Sequence, residues 1–130
     1  EITAGIAFKA AGVEVLPIAQ DHGFMASTGL RFGRFAYSTD VVRLGEDAFA
    51  ALDGIDTWVV GCFQEARHPT HAHLALALGW IRRVRPRRAV LTHMSERLDY
   101  RVLAAKLPAG VEPAHDGMVL ELADRPMVPA

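Results

Sequence analysis

A chain of 130 residues, 51% of them hydrophobic, carries enough apolar side chain to bury a core, so its composition is that of a folded chain the size of one domain. A formal net charge of −1 and a pI near 6.7 argue against a large electrostatic commitment to nucleic acid or to an anionic membrane. Cys62 is the single cysteine, which excludes an intramolecular disulfide and a zinc–thiolate cluster.

In chain order, Val13-Glu14-Val15-Leu16-Pro17-Ile18 alternates as a strand does and ends at Gln20-Asp21-His22-Gly23. Gly29 to Phe32 and Arg34 to Tyr37 flank Gly33 and read as a hairpin, whose second strand runs into Ser38-Thr39-Asp40. A short helix fits Glu46 to Leu52, with Gly54 placed to end it. The continuous apolar run from Thr57 to Phe63 predicts a strand covered on both faces, with Cys62 a buried and inert thiol. His71 to Val84 is the longest helical pattern: Leu74, Ala77, Leu78, Ile81 and Val84 recur at spacings of three and four, and Pro86 stops it. The arginines at 82, 83, 85, 87 and 88 read as a solvated helix end, where positive charge suits the helix dipole. Arg88 to Thr92 is the next buried strand, ending at His93; Tyr100 to Leu107 is a last helix, stopped by Pro108 and Gly110. Short strands around Val111-Glu112-Pro113 and from Met118 to Leu122 precede a Pro-containing tail.

This order, strands first and then alternating helix and strand, predicts an α/β fold in a single domain spanning 1–130, without repeats or a dividing linker. No apolar stretch approaches the ~20 residues that cross a bilayer. No signal-peptide pattern opens the chain, so a soluble, cytoplasmic protein is expected. The first residue is Glu1 rather than Met, and structure begins almost at once, as expected for a piece of something longer.

Residues capable of metal chemistry fall at the predicted strand ends. His22 follows the first strand, Asp40 the hairpin and His93 the last long strand, and strand ends are where α/β sheets usually build ligand sites. Two imidazoles and a carboxylate suit Zn²⁺, Mn²⁺ or Fe²⁺, and a carboxylate can bridge two ions. By spacing alone the signal is weak, since a lone histidine at a strand end is more often a hydrogen-bonded structural residue than a ligand. The tract His68-Pro69-Thr70-His71-Ala72-His73 reads equally as a metal-binding segment, a helix start capped by Thr70, or a polar loop. A histidine in a first helical turn would sit where backbone N–H groups favour an anion such as phosphate.

Four segments in order carry a family resemblance: Phe35-Ala36-Tyr37-Ser38-Thr39-Asp40, His68 to Leu74, Ala89 to Ser95, and Pro113-Ala114-His115-Asp116-Gly117-Met118. Together they resemble the PhnP-like branch of the metallo-β-lactamase superfamily, which includes the phosphodiesterase that opens phosphoribosyl cyclic phosphate and stands close to tRNase Z. The resemblance implies the C-terminal half of an αββα sandwich, a mixed sheet covered by helices. It implies a hydrolase of phosphodiester bonds with two divalent ions, zinc or manganese, and a small-molecule phosphodiester as substrate. Carried over by position, His22, Asp40 and His93 become metal ligands, with Asp40 the bridge, and His71 becomes a phosphate-handling catalytic acid. His68 becomes a support residue and His73 a surface one.

The chain departs from the pattern at Glu96, where relatives have a second histidine, at His115, where they have an aromatic residue, and at Gly61-Cys62-Phe63-Gln64, where they have an aspartate-containing run. The H-x-H-x-D-H loop that supplies the superfamily's other ligands does not occur in these residues. The N-terminal half that carries it is therefore expected to be missing, leaving each ion two protein ligands, fewer than the three typical of a catalytic zinc site. Two rival readings follow: a truncated, non-catalytic binding or regulatory module, and a tRNase Z-like nuclease, the latter disfavoured by the lack of net positive charge. A truncated sheet with an open edge would also invite association into a homo-oligomer.

Overall fold

A computed structural model describes residues 1–122; the expected Pro-containing tail falls mainly beyond Leu122, outside the described residues. Alternating, turn-punctuated sequence builds the first half as an antiparallel meander of β1 (Phe8–Ala10), β2 (Val13–Asp21), β3 (Ala26–Phe32) and β4 (Phe35–Ser38). Then α1 (Glu46–Leu52), β5 (Thr57–Gly61), α2 (Leu74–Val84), β6 (Arg88–Thr92), α3 (Tyr100–Lys106) and β7 (Val111–Pro113) alternate, and β4 to β7 pair in parallel. One seven-stranded mixed sheet in sequence order results, the α/β arrangement expected. Parallel neighbours cannot be joined by a tight turn, and each of the three crossovers here is a helix.

Those helices cover the face to which Trp58, Val60 and Cys62 point at the two-residue period of a strand. Ala48 and Leu52 of α1, Ala77, Trp80 and Ile81 of α2, and Leu103 of α3 close over them in one core cluster. Cys62 is fully buried, and loss of solvent raises its thiol to about 11, so it is the inert group expected. Helix ends are satisfied by side chains from elsewhere. The Arg31 guanidinium donates to the carbonyls of Ala51 and Asp53 at the end of α1, at 2.6 and 2.8 Å. Asp99 caps α3 by accepting from the Val102 N–H. Arg83, in the last turn of α2, pairs with Glu46 and lies 3.7 Å over the Phe49 ring, so part of the arginine cluster clamps two helices together.

Three expectations are corrected. The helix begins at Leu74 rather than His71, with His73 as its N-cap and no side-chain cap, so Thr70 does not cap it. The segment before it bends over the sheet rim instead, held there because Ala72 donates to the Val41 carbonyl and accepts from the Phe63 N–H. Met118 to Leu122 forms no strand: a turn closed by Met118 N–H and the His115 carbonyl leads the chain off the sheet, and Val119 is exposed. β1 was not expected; Ala11 and Gly12, both at positive φ, turn it back onto β2. The edges, β1 and β7, are three residues long and β7 carries Pro113, forms that offer another chain little to pair with. Among the described residues no helix is long and apolar enough to cross a membrane.

Leu91, fully buried in the middle of β6, tests the core. Leu91→Ala should lower the unfolding free energy by about 2–5 kcal/mol in urea titrations.

Candidate metal centre

β2 is antiparallel to β3, and β3 to β4, so β2 runs in the same direction as β4, β5 and β6. The C-terminal ends of all four strands therefore open on one rim of the sheet. His22 follows β2, Asp40 follows β4, Phe63 follows β5 and His93 follows β6. The β5–α2 connection bends back over the same rim: the Ala72 N–H to Val41 carbonyl bond, 2.8 Å, lays His71 beside Asp40.

All four singled-out residues meet there. Asp40 Oδ1 lies 3.8 Å from His22 Nε2, 3.8 Å from His71 Nδ1 and 3.4 Å from His93 Nε2. His22, Asp40 and His71 offer ligand atoms all within 4.8 Å of one another, close enough to share one ion. The His71 ring sits between the other two, 4.8 Å from His22 and 4.9 Å from His93 by centroid. Both Asp40 and His93 adopt left-handed backbone conformations, φ 52° and 59°, which cost a non-glycine residue energy and tend to gather at functional sites.

Orientation comes from the surroundings. His22 Nδ1 lies 2.7 Å from the Thr70 carbonyl, which can only accept, so Nδ1 carries the proton and the Nε2 lone pair faces Asp40. That bond requires the chain at 69–70 to press on Gly23, where φ is +90° and a Cβ would lie 2.9 Å from both the Pro69 carbonyl oxygen and Thr70 Cγ2. Asp21 braces the same corner, accepting from the Gly23 N–H and the Arg43 guanidinium; these two contacts hold its carboxyl below the usual carboxylate range. His71 is stacked on Phe63, centroids 4.7 Å apart. Burial, and then the neighbouring imidazoles His93, His22 and His68, push its pKa below the ordinary 6.5, while Asp40 pulls the other way more weakly. A neutral imidazole is the form that ligates or donates a hydrogen bond through one N–H.

His68 is near but behind: its Nδ1 accepts from the Thr70 N–H and its ring meets Phe63 and His71. His73 caps α2 instead, and His115 is exposed beside Tyr100. Sequence reading missed Gln20, Asp21, Ser27 and Phe63, which surround the four. Only Asp21 had a signal, an Asp two residues before a Gly, the pattern of an Asx turn.

Comparison with known proteins follows this geometry. The sequence profile of a β-lactamase superfamily domain matches residues 1–94. No curated protein matches the chain. Among solved structures, a diphosphatase from the PhnP family is similar at a TM-score of 0.89 and 29% identity, over 93% of this chain and 48% of its own. The short form of human tRNase Z is similar at 0.70 and 21%, over 89% and 46%. Zinc-bound PqqB from Methylobacterium extorquens is similar at 0.66 and 19%, over 93% and 51%. The last two share the fold, and the chain spans about half the length of all three.

Two outcomes are expected. Gly23→Ala should destabilise the protein by more than about 1 kcal/mol and detach the Thr70 carbonyl from His22, read as loss of the protected Nδ1 proton in ¹⁵N NMR. Because folding lowers the His71 pKa, the unfolded state binds the extra proton, so stability of the metal-free protein is full above pH 6.5 and falls below it. Urea unfolding from about pH 5 to 7 should show that slope, flattened in His71→Phe.

Proposed function

The chain belongs to the β-lactamase superfamily, and from that premise we propose that it is part of a metal-dependent hydrolase of phosphodiester bonds, of the cyclic-phosphate type. The observation that carries the proposal is the convergence of three imidazoles on one carboxylate oxygen at a rim of strand ends. Proteins of this fold bind divalent metals, and one similar structure is zinc-bound. The donors fit such an ion: nitrogen and carboxylate oxygen, no thiolate, with the His22 lone pair already turned inward by Thr70.

In this reading His22 and Asp40 would hold one divalent ion and Asp40 and His93 a second, with zinc or manganese the metals these donors suit. When bound, the ions lower the pKa of water to yield a nucleophile near neutrality and polarise a phosphoryl oxygen. Asp40 supplies the negative charge that sets three imidazoles around a common point. His71, between His22 and His93, meets the substrate. It enters neutral and donates its N–H to a phosphoryl oxygen; the anionic ester raises its pKa, so the ring takes up a second proton from solvent, and that imidazolium passes a proton to the leaving oxygen and returns to neutral. Phe63 under the ring limits its rotation. The similarity to a PhnP-family diphosphatase supports phosphorus chemistry over lactam hydrolysis. A second reading has its own support: His71 lies with His22 and Asp40 in a single three-ligand group, which would make it a ligand instead of the acid.

Hydrolysis of bis(p-nitrophenyl) phosphate with added Mn²⁺, alongside metal analysis, tests both. His22→Ala and His93→Ala should lose bound metal and activity together. His71→Ala should keep its metal and slow by about 10²–10⁴-fold. Metal loss in His71→Ala would establish the ligand reading, and an unchanged rate in His93→Ala would overturn the site.

A further inference from the structure

Beneath the Asp40 turn lies a buried polar network that no reaction step uses. Gln20, 5% exposed on β2, donates from Nε2 to the Thr39 carbonyl at 3.0 Å and to Ser27 Oγ at 3.1 Å. The Ser27 hydroxyl in turn donates to the Asp40 carbonyl at 2.6 Å. Both N–H groups of one amide are thus spent, directly or through Ser27, on the two consecutive carbonyls that lead into and out of Asp40. In the opposite orientation the amide oxygen would face the Thr39 carbonyl, so the donor side is the one that fits.

The arrangement is retained against two costs. Among the described residues Gln20 Oε1 is buried with no hydrogen-bond partner, which costs stability. Asp40 stands at φ 52°, in the left-handed region. Space for the amide also depends on position 29 having no side chain, since a Cβ on Gly29 would fall 2.3 Å from Gln20 Oε1.

We infer that Gln20 and Ser27 are positioning residues for Asp40: they hold its backbone in the left-handed turn that aims Oδ1 at His22, His71 and His93. This deepens the metal-site reading and rests on it for its consequence, metal affinity, but not for its structural content. Without the two anchors the Asp40 backbone relaxes to an ordinary conformation and the carboxylate leaves the common focus of the imidazoles.

The test uses the whole chain with Gln20→Met, which keeps size and removes the orphaned acceptor, Ser27→Ala, and Ser27→Thr, which restores the hydroxyl on a strand that accepts β-branched residues. Co²⁺ titration followed by visible absorption should show affinity weakened about 10–100-fold in Gln20→Met and Ser27→Ala, and recovered in Ser27→Thr. The Asp40 and Val41 amide NMR signals should move in the first two variants without metal. Lower melting temperatures with unchanged Co²⁺ affinity would overturn the inference in favour of a purely structural role. If the parent chain binds no Co²⁺, the metal-site reading fails, and the metal-free amide signals decide this inference alone: displacement upholds it, and unmoved signals overturn it.

Discussion

The direction of four strands governs nearly everything at this site. Because β2, β4, β5 and β6 run the same way, their C-terminal ends share a rim, and residues from positions 22, 40, 63 and 93 become neighbours. That direction follows from connection chemistry. Tight turns reverse the chain between β1 and β4, while helical crossovers preserve its sense between β4 and β7. The helices in turn bury the Trp58, Val60 and Cys62 face, so the force that closes the core also fixes which end of the sheet is functional.

At the rim, three imidazoles face one carboxylate oxygen at separations of 3.4–3.8 Å, longer than ordinary hydrogen bonds. Burial, and then the neighbouring imidazoles, keep His71 neutral at higher acidity than a free imidazole. Neutral nitrogen lone pairs around an anionic oxygen are the electronic complement of a divalent cation.

Order at the rim comes from backbone carbonyls placed with unusual economy. Thr70 offers its carbonyl to His22, Val41 offers its own to Ala72, and those of Thr39 and Asp40 are held by Gln20 and Ser27. Each bond links segments far apart in sequence, so the turn at Asp40 can hold a conformation that local preference would not select.

The sequence by itself determined the periodic elements and the family. The helix ending at Val84, though not its start, could be read from its helical spacing, the strand Arg88 to Thr92 from its apolar run, and the helix Glu46 to Leu52 from the Gly54 that follows it. His22, Asp40 and His93 stood out because strand ends are recognisable, and His71 because its motif resembles that of a known branch. Only the tertiary contacts place His71 in a bent connection ahead of the helix, since the bond from Ala72 to Val41 joins residues that no local window contains. They alone decided that β1 pairs and that 118–122 does not, since strand formation there depends on having a neighbour. Gln20, Ser27 and Phe63 were silent for the same reason: their significance lies in what they touch across the sheet rim, which composition and periodicity do not encode.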